Sequence, residues 1–387
     1  MTKIASHPPA PASSSPLATL SRVVTVMGLL LVFLVGVKCL GGGFKMLGHD
    51  VLDSFFAATS NPFIALMVGI LATTLVQSSS VTTAMIVGLV AAPDNPLPIA
   101  NAVPMIMGAN IGTTVTNTIV SMAHMGRPEE FRRAFSVATC HDFFNYMIVV
   151  TLLPLELMTG FLRRSATGLA DLLGDISGVK YESPLKSLLK KLVAPIKDGA
   201  AALSDAEQIQ GIIIILVSAV LIFVSLWLLV RTLRAVLQTR VEVSLNRVLG
   251  SSIVLSVIVG IIVTVMVQSS SITTSLLVPL AGAGVITARQ AFPITVGANI
   301  GTTVTALLAS MAVSGENAEA GIIIALVHLG FNLSGTFLVL PFPRIRAIPV
   351  RFSTMLAESA VRSKKWPIFY VIMLFYILPA IFAFLFR

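Results

Sequence analysis

From Val248 to Ala288 the chain runs without a single ionisable side chain, and between Asn61 and Ala123 only Asp94 interrupts a second such stretch. The whole chain is 56% hydrophobic and 11% charged, with a mean hydropathy of +0.93, whereas soluble domains are about one quarter charged. Crossing a hydrocarbon core takes about 20 apolar residues. The clearest such segments are Ser21 to Leu40, Gly211 to Val230 and Trp366 to Phe386. We predict an all-α, multi-pass integral protein of the cell membrane.

The basic charge of the chain, +9 at neutral pH, is also consistent with nucleic-acid binding. The basic residues lie between apolar segments and form no single patch or arm, so we interpret them as orientation signals and expect no nucleic acid. Cys39 and Cys140 lie in apolar segments without metal-ligand spacing, which predicts simple packing. Residues 1–20 are rich in Pro, Ser and Ala, and we predict a disordered tail there.

The chain contains an internal duplication, visible as three paired blocks in one order. QSSSVTT at 77–83 returns as QSSSITT at 268–274, and GANIGTTVT at 108–116 returns at 297–305. The third block pairs His141, Phe144 and Asn145 with His328, Phe331 and Asn332. The offset drifts only from 191 (268 − 77) through 189 (297 − 108) to 187 (328 − 141), so chance similarity between apolar segments is a poor explanation.

These blocks divide the chain into five parts. We predict membrane repeat units at residues 21–160 and 211–343, joined by a linker at 161–210 and followed by a basic loop with a C-terminal transmembrane helix at 344–387. Within the linker, residues 183–200 place their apolar side chains on one helical face. This pattern predicts an amphipathic helix lying on the lipid bilayer; a helix that binds a soluble partner is the alternative.

Loop charge indicates how the two units are oriented. The connection GGGFKMLGHDVLDS at 41–54 carries little net charge, whereas its counterpart in the second unit carries Arg231, Arg234, Arg240 and Arg247. Because basic loops tend to stay on the cytoplasmic side, the two connections should face opposite sides. Inverted-topology repeats follow, as in many secondary transporters. The linker is also basic although this arrangement places it outside, but long loops carry little weight under the rule.

The repeated polar blocks indicate interrupted helices at membrane depth. The glycines of GANIGTT weaken helix continuity, its Asn caps helix starts readily, and Pro104 and Pro293 precede the two copies. Irregular backbone persists within a bilayer only when it is buried in protein or lines a wet cavity. We therefore predict two pairs of broken or re-entrant helices that meet near the middle of the membrane.

The chemistry of these blocks suits small ions. Helix starts present free N–H groups and a positive dipole end, which favour an anion, while hydroxyls, carbonyls and amide oxygens favour an alkali cation. The blocks contain no basic side chain, so a phosphate-like dianion bound there needs cations beside it to limit its desolvation cost. The alternative is a purely structural role, in which the hydroxyls only bond backbone carbonyls or allow close helix packing.

Asp142 breaks the duplication, because its counterpart at the offset of 187 is Leu329. A carboxylate within a membrane helix is costly and marks a functional site by default. It can bind a cation, pair with Arg132 or Arg133, or bond His141. Since His141 and His328 are repeated, we interpret them as packing or hydrogen-bonding residues and not as catalysts.

At QSSS, at GANIGTT and at FRRAF followed by HDFFN, the sequence resembles the type II sodium-dependent inorganic phosphate cotransporters. The likeness covers nearly all of residues 21–343. It implies sodium-driven uptake of inorganic phosphate by alternating access, with sodium as a co-transported substrate, no other cofactor and no enzymatic activity. A homodimer is possible.

Carried over by position, the resemblance assigns the phosphate contacts to Gln77, Ser78, Ser79, Gln268, Ser269 and Ser270. It assigns sodium to Thr82, Asn110, Thr113, Asn145, Thr273, Asn299, Thr302, Thr305 and Asn332, and an additional sodium ion in electrogenic members to Asp142. The chain departs from those members at Ser136, where they have alanine, and at Arg127, where animal members tend to have an acid. Our expectation is three sodium ions per divalent phosphate.

Three other functions are compatible with parts of the pattern. Dipole ends and hydroxyls bind oxyanions generically, so a sodium-coupled carrier for sulfate or a carboxylate is the main alternative. A passive channel is the second. An intramembrane hydrolase built from Ser, His141 and Asp142 is disfavoured. It needs a single activated nucleophile beside one base, whereas the serines here are repeated, and no GxSxG elbow is present.

Overall fold

The computed structural model describes residues 16–46, 57–93, 96–177, 184–248, 252–313 and 315–385. Within these ranges all regular secondary structure is helical. The predicted tail lies outside them up to residue 15, and its last five residues already belong to the first helix. Most of the connection at 41–54 also lies outside, from residue 47 onwards.

The described part of the first half contains seven helices. They are α1 (Pro16–Met46), α2 (Pro62–Val76), α3 (Ser79–Val90), α4 (Ile99–Thr113), α5 (Val115–Met122), α6 (Pro128–Thr159) and α7 (Phe161–Ser177). The predicted linker helix follows as α8 (Pro184–Leu203). Its placement on the bilayer stays a prediction.

The second half begins with the long helix α9 (Glu207–Val248), so the arginine-bearing segment predicted as a connection is helical. The remaining helices are α10 (Ile253–Val267), α11 (Ser270–Ser275), α12 (Leu277–Gly282), α13 (Ala288–Ala312), α14 (Ala318–Val339), α15 (Pro343–Arg362), α16 (Lys365–Ile372) and α17 (Leu378–Leu385). A π-helical turn at Met373–Ile377 joins α16 to α17.

Six helices of the described chain are long and apolar enough to cross a membrane, which confirms the predicted multi-pass all-α class. They comprise Leu20–Gly43, Pro128–Thr159, Glu207–Leu229, Ala288–Ala312, Ala318–Val339 and Lys365–Ala383. The shorter apolar helices are arranged differently from these six. Helix α2 meets α3 end to end at the first QSSS run, and α10 meets α11 end to end at the second. A helix of 15 residues such as α2 rises about 22 Å, too short for a core of about 30 Å.

Helices α2 and α4 pack together in the first half, and α10 and α13 pack together in the second. Glycines bring each pair into backbone contact. A Cβ atom added to Gly108 would lie closer than 3.0 Å to the Leu66 carbonyl, and one added to Gly297 equally close to that of Val257. We call these two contacts the glycine seams. They require glycine because any side chain would separate the helices.

The seams correct our prediction for GANIGTT. Helix α13 continues through the whole second copy with Pro293 inside it, and in the first copy α4 reaches Thr113 before a minor irregularity at Thr114, whose backbone stays right-handed. The glycines therefore serve close packing and do not break the helices. Tertiary packing outweighs their weak helix propensity, since each glycine allows a backbone contact that a larger residue prevents.

Candidate functional site

Both QSSS runs begin with a glutamine in the left-handed backbone region. Gln77 has φ 54° and ψ 30°, and Gln268 has φ 55° and ψ 29°. No other non-glycine residue of the described chain has a positive φ. This conformation costs about 1–2 kcal/mol for a residue with a Cβ, and glycine usually occupies it at a helix end. Such an outlier points to a functional need for the side chain.

The serine after each glutamine starts the next helix. Ser78 and Ser269 are extended, and their hydroxyls accept hydrogen bonds from the backbone N–H groups of Val81 and Ile272, both at 3.3 Å. This is N-capping. The chain thus turns sharply at each glutamine and presents the start of a new helix, with its positive dipole end. The helix breaks predicted at QSSS are present; a re-entrant path through a bilayer stays a prediction.

The two breaks converge on one cavity of about 270 Å³, which we call the paired cavity. Its lining includes residues 77–81 and 268–272, together with Phe223, Leu226 and Trp227 of α9. None of the described lining residues is ionisable. All six residues assigned to phosphate by resemblance therefore lie together, namely Gln77, Ser78, Ser79, Gln268, Ser269 and Ser270.

A hydrogen-bonded chain connects the two halves beside this cavity. Thr305 Oγ1 donates to Gln268 Oε1 at 3.1 Å and accepts from Ser80 Oγ at 3.4 Å. Gln268 Nε2 donates to the Val265 carbonyl at 2.7 Å, so both ends of this amide are fixed. A residue of the first half, Ser80, is thus linked to the left-handed glutamine of the second.

The first half lacks the corresponding bonds. Thr116, the counterpart of Thr305, has a buried hydroxyl oxygen without a partner, and Gln77 is exposed. The same contrast recurs nearby, because Thr264 Oγ1 donates to Thr273 Oγ1 at 2.9 Å while Thr73, the counterpart of Thr264, has an unpartnered hydroxyl. Equivalent residues therefore occupy two different bonding states in one molecule.

Four of the asparagines predicted to contact sodium form a second buried network. Asn299 Nδ2 donates to Asn145 Oδ1 at 2.8 Å, Asn145 Nδ2 donates to the Asn110 carbonyl at 2.8 Å, and Asn332 Nδ2 donates to Asn110 Oδ1 at 3.1 Å. The Asn332 Oδ1 atom has no partner in the described chain. Amide oxygens gathered from both halves are suitable donors for an alkali cation.

His141 extends this network towards α5. Its Nε2 lies 2.6 Å from Asn299 Oδ1, and its Nδ1 lies 3.4 Å from Asn117 Nδ2. Asn117 Oδ1 accepts from Thr274 at 2.9 Å and from Ser275 at 3.0 Å. Both ring nitrogens of the histidine face asparagines and neither bonds a serine of the described residues, so a hydrolase with a Ser–His pair has no geometric support.

The threonines assigned to sodium are buried, and three of them bond within their own helices. Thr82, Thr113 and Thr302 donate to backbone carbonyls of their own helices, at 2.9 to 3.2 Å. Such bonds are the ordinary structural role of threonine in apolar helices. Their hydroxyl oxygens keep accepting capacity, so a sodium contact by these residues stays a prediction.

Asp142 lies in the middle of α6 and is fully buried. Its Oδ2 accepts from the Tyr370 hydroxyl at 2.8 Å and from Thr118 at 3.2 Å, whereas Oδ1 has no partner. None of the predicted protein partners contacts it. Arg132 pairs with Glu129, Arg133 donates to the carbonyls of Ala281 and Gly282, and His141 bonds asparagines. Arg132 bonds within its own helix, whereas Arg133 and His141 bond residues of the second half.

Sequence reasoning missed Asn117, Thr118 and Tyr370. The counterparts of Asn117 and Thr118 at the offset of 189 are Ala306 and Leu307, so a search for repeated residues passes over them. Tyr370 lies on α16, beyond both predicted repeat units. The signal that identifies them is the asymmetry of Asp142 itself, because a buried unrepeated carboxylate requires unrepeated donors.

Comparisons with known proteins indicate the family of the chain. A family model described as Na+/Pi-cotransporter matches residues 32–170 and 221–341. The chain is 33% identical to sodium-dependent phosphate transport protein 2A of Rattus norvegicus over 431 residues, which cover 94% of this chain and 67% of the relative. It is 30% identical to protein 2B of Homo sapiens, over 93% of this chain and 64% of that relative.

A third relative, sodium-dependent phosphate transport protein 2A of Ovis aries, is 32% identical over 94% of this chain and 67% of its own length. The chain thus spans about two thirds of the length of these relatives. No solved structure matches the chain. On the strength of the family match and of these identities, the chain belongs to the Na+/Pi-cotransporter family.

Proposed function

We propose that this protein couples sodium entry to the uptake of inorganic phosphate across the cell membrane, and that phosphate binds in the paired cavity. The observation that carries the proposal is the convergence of two duplicated helix breaks, Gln77–Ser80 and Gln268–Ser271, on one cavity. Relatives named sodium-dependent phosphate transport proteins support the same function.

The neutrality of the cavity explains the need for sodium. Its polar groups are hydroxyls, amides and helix starts, which solvate an oxyanion by dipoles alone. A doubly charged anion moved from water into such a site meets a large desolvation cost unless cations accompany it. Each sodium ion bound nearby lowers that cost, so the two solutes bind more tightly together than separately.

Two places are suited to the cations. The asparagine network offers amide oxygens, including the unpartnered Asn332 Oδ1, and Asp142 offers a buried carboxylate oxygen without a partner. We propose that the additional sodium ion binds at Asp142. With three sodium ions and one divalent phosphate the net charge moved is +1 (3 − 2), and each charge contributes about 2.3 kcal/mol of driving force per 100 mV.

We also propose that the two units, residues 21–160 and 211–343, are inverted repeats that alternate access to the cavity. The different bonding states of their equivalent threonines support this, because an exchange of roles between the halves would form the missing Thr116 and Thr73 bonds and break those of Thr305 and Thr264. Rocking of one repeat against the other is a common way to move a central site from one side to the other.

The test is uptake of labelled phosphate into proteoliposomes, with and without an inward sodium gradient. We expect accumulation above the outside concentration only with the gradient, and its loss in Gln77→Ala and in Gln268→Ala. Thr151→Ala is a matched control, since Thr151 is an exposed membrane-helix threonine whose hydroxyl bonds only its own helix. Equal uptake without sodium would refute coupling and would indicate a passive channel.

A competition experiment distinguishes a phosphate carrier from a sodium-coupled carrier for another oxyanion. Sulfate or a carboxylate added in excess should leave labelled phosphate uptake unchanged if the cavity selects phosphate, whereas strong competition would indicate another oxyanion as substrate. The predicted homodimer is tested separately by the mass of the purified protein in lipid nanodiscs.

A further inference from the structure

Two buried oxygen atoms on neighbouring side chains of α6 have no hydrogen-bond partner in the described chain. They are Asp142 Oδ1 and the hydroxyl oxygen of Tyr146. The two residues lie one helical turn apart, so their side chains are neighbours on one face of α6, and the two oxygens do not bond each other. Buried polar atoms are nearly always bonded. Two neighbouring exceptions therefore indicate a small ligand between them.

The second half of the molecule lacks both oxygens. At the offset of 187 (329 − 142 and 333 − 146), the counterpart of Asp142 is Leu329 and that of Tyr146 is Leu333. Helix α14 thus keeps the repeated histidine and asparagine but has two leucines in place of the carboxylate and the phenol. Thr118, which donates to Asp142 Oδ2 at 3.2 Å, corresponds to Leu307 at the offset of 189. These oxygen donors therefore occur together in one half only.

The C-terminal segment completes this group from outside the repeats. Tyr370 of α16 donates to Asp142 Oδ2 at 2.8 Å. The fully buried ring of Phe375 lies in the π-helical turn, with its centroid 6.5 Å from that of the Tyr146 ring and 6.1 Å from that of the Tyr370 ring. A π-helical turn is rare and frequently occurs at functional sites. Here it packs one aromatic ring against both tyrosines, which holds both phenol rings in place.

The charge of Asp142 identifies the class of ligand. Its hydrogen bonds come from neutral hydroxyl groups, and the basic residues nearest to it in sequence, Arg132, Arg133 and His141, bond other partners. A water molecule would satisfy the two unpaired oxygens but would leave a buried negative charge uncompensated, which is costly. An alkali cation meets both needs, because it carries the opposite charge and binds oxygen atoms.

We propose that Tyr146 and Tyr370 complete the sodium site at Asp142, so that the C-terminal segment is a functional part of the transporter. Sodium binds between Asp142 Oδ1 and the Tyr146 hydroxyl oxygen, while Tyr370 and Thr118 hold Oδ2 by their hydrogen bonds. Tyr146 is thus a ligand and Tyr370 a positioning residue. This inference rests on the proposed function, since it assigns further residues to the additional sodium ion.

The C-terminal segment also connects this site to the paired cavity. Helix α17 and the π-helical turn pack against α2, and α2 ends at Val76, immediately before Gln77. The segment that holds Asp142 Oδ2 therefore contacts the helix that leads to the first break. A sodium ion at Asp142 is linked to the phosphate ligands through one packed helix.

The test measures sodium binding to the purified full chain without phosphate. Thermal unfolding is followed over a series of sodium concentrations, with choline keeping the ionic strength constant, because an ion that binds the folded state raises its melting temperature. The part of this rise that Asp142→Asn removes belongs to the site. For that part, we expect Tyr146→Phe and Tyr370→Phe each to raise the half-saturating sodium concentration about tenfold. Tyr376→Phe is the matched control, since Tyr376 lies in the π-helical turn and does not bond Asp142.

The same data separate sodium binding from a structural role. Phenylalanine keeps the ring that packs on Phe375 and removes only the hydroxyl. Because the Tyr146 hydroxyl has no partner, Tyr146→Phe should be at least as stable as the native chain when sodium is absent, and only its stabilisation by sodium should fall. A melting temperature lowered equally with and without sodium would show a structural role only and would overturn the proposal.

The result for Asp142→Asn distinguishes failure of this inference from failure of the proposed function. If Asp142→Asn weakens sodium stabilisation while both phenylalanine variants match the native chain, the additional sodium ion stands, the tyrosines do not serve it, and the unpaired oxygens hold water. If Asp142→Asn itself changes nothing, there is no sodium ion at Asp142 and both proposals for this site are wrong.

Discussion

The left-handed glutamines allow a test that separates backbone strain from the role of the amide side chain in transport. Replacing Gln77 or Gln268 by glycine removes the Cβ from a backbone at φ 54° or 55°, and replacement by alanine keeps it. The strain released is about 1–2 kcal/mol. Glycine loses more conformational entropy on folding, about 0.4–1 kcal/mol. The glycine variant should therefore be more stable than the alanine variant by roughly 1 kcal/mol, although both lose the amide and phosphate transport.

The measurement is thermal unfolding in detergent, followed by circular dichroism, for Gln268→Gly against Gln268→Ala and for the same pair at Gln77. Thr151 is a control with the opposite sign, because it lies in a right-handed helix. There glycine should be less stable than alanine by about 1 kcal/mol. If the alanine variants at the two glutamines equal or exceed the glycine variants in stability, the backbone is not left-handed and the proposed helix breaks are incorrect.

Three further outcomes are expected. Thr305→Val removes two hydrogen bonds and should weaken apparent phosphate affinity in uptake assays about tenfold, whereas Thr151→Val, at an exposed threonine whose hydroxyl bonds only its own helix, should change it less than about twofold; equal effects would contradict a role of the Thr305 bonds in phosphate binding. Gly297→Ala should lower stability by about 1–3 kcal/mol in thermal unfolding, while Gly199→Ala, with open space around it, should not. Asp142→Gly should abolish sodium-phosphate current while labelled uptake persists, and undiminished current would exclude the additional sodium ion.

The sequence predicted the class of the fold and the location of the helix breaks for a physical reason. Apolar length and missing charge determine membrane insertion, and a polar run within an apolar segment indicates irregular backbone that is buried in protein or lines a cavity. The duplication then predicted that two such starts belong together. Gln77 and Gln268 lie at one cavity as a consequence.

The errors concern features that depend on neighbours distant in sequence. The glycines of GANIGTT look like helix breakers until the carbonyls of Leu66 and Val257 are found against Gly108 and Gly297. The partner of Asp142 is Tyr370, on a helix outside the repeated units. The seam glycines are duplicated, but the sequence does not show that a backbone carbonyl lies against each of them. The contact between Asp142 and Tyr370 is not duplicated. Both contacts become visible only when the helices are packed.

The glycine seams also limit how this molecule moves. Two helices in backbone contact cannot slide or rotate against each other without separating, because packed surfaces rearrange in discrete steps. Each of the pairs α2–α4 and α10–α13 must consequently travel as one stiff lever. Bending is left to the single left-handed residue at the end of each helix pair, where we propose that phosphate binds. The proposed ion site and the point of bending are therefore the same residue. A bound ion would directly affect the bending that moves it across the membrane.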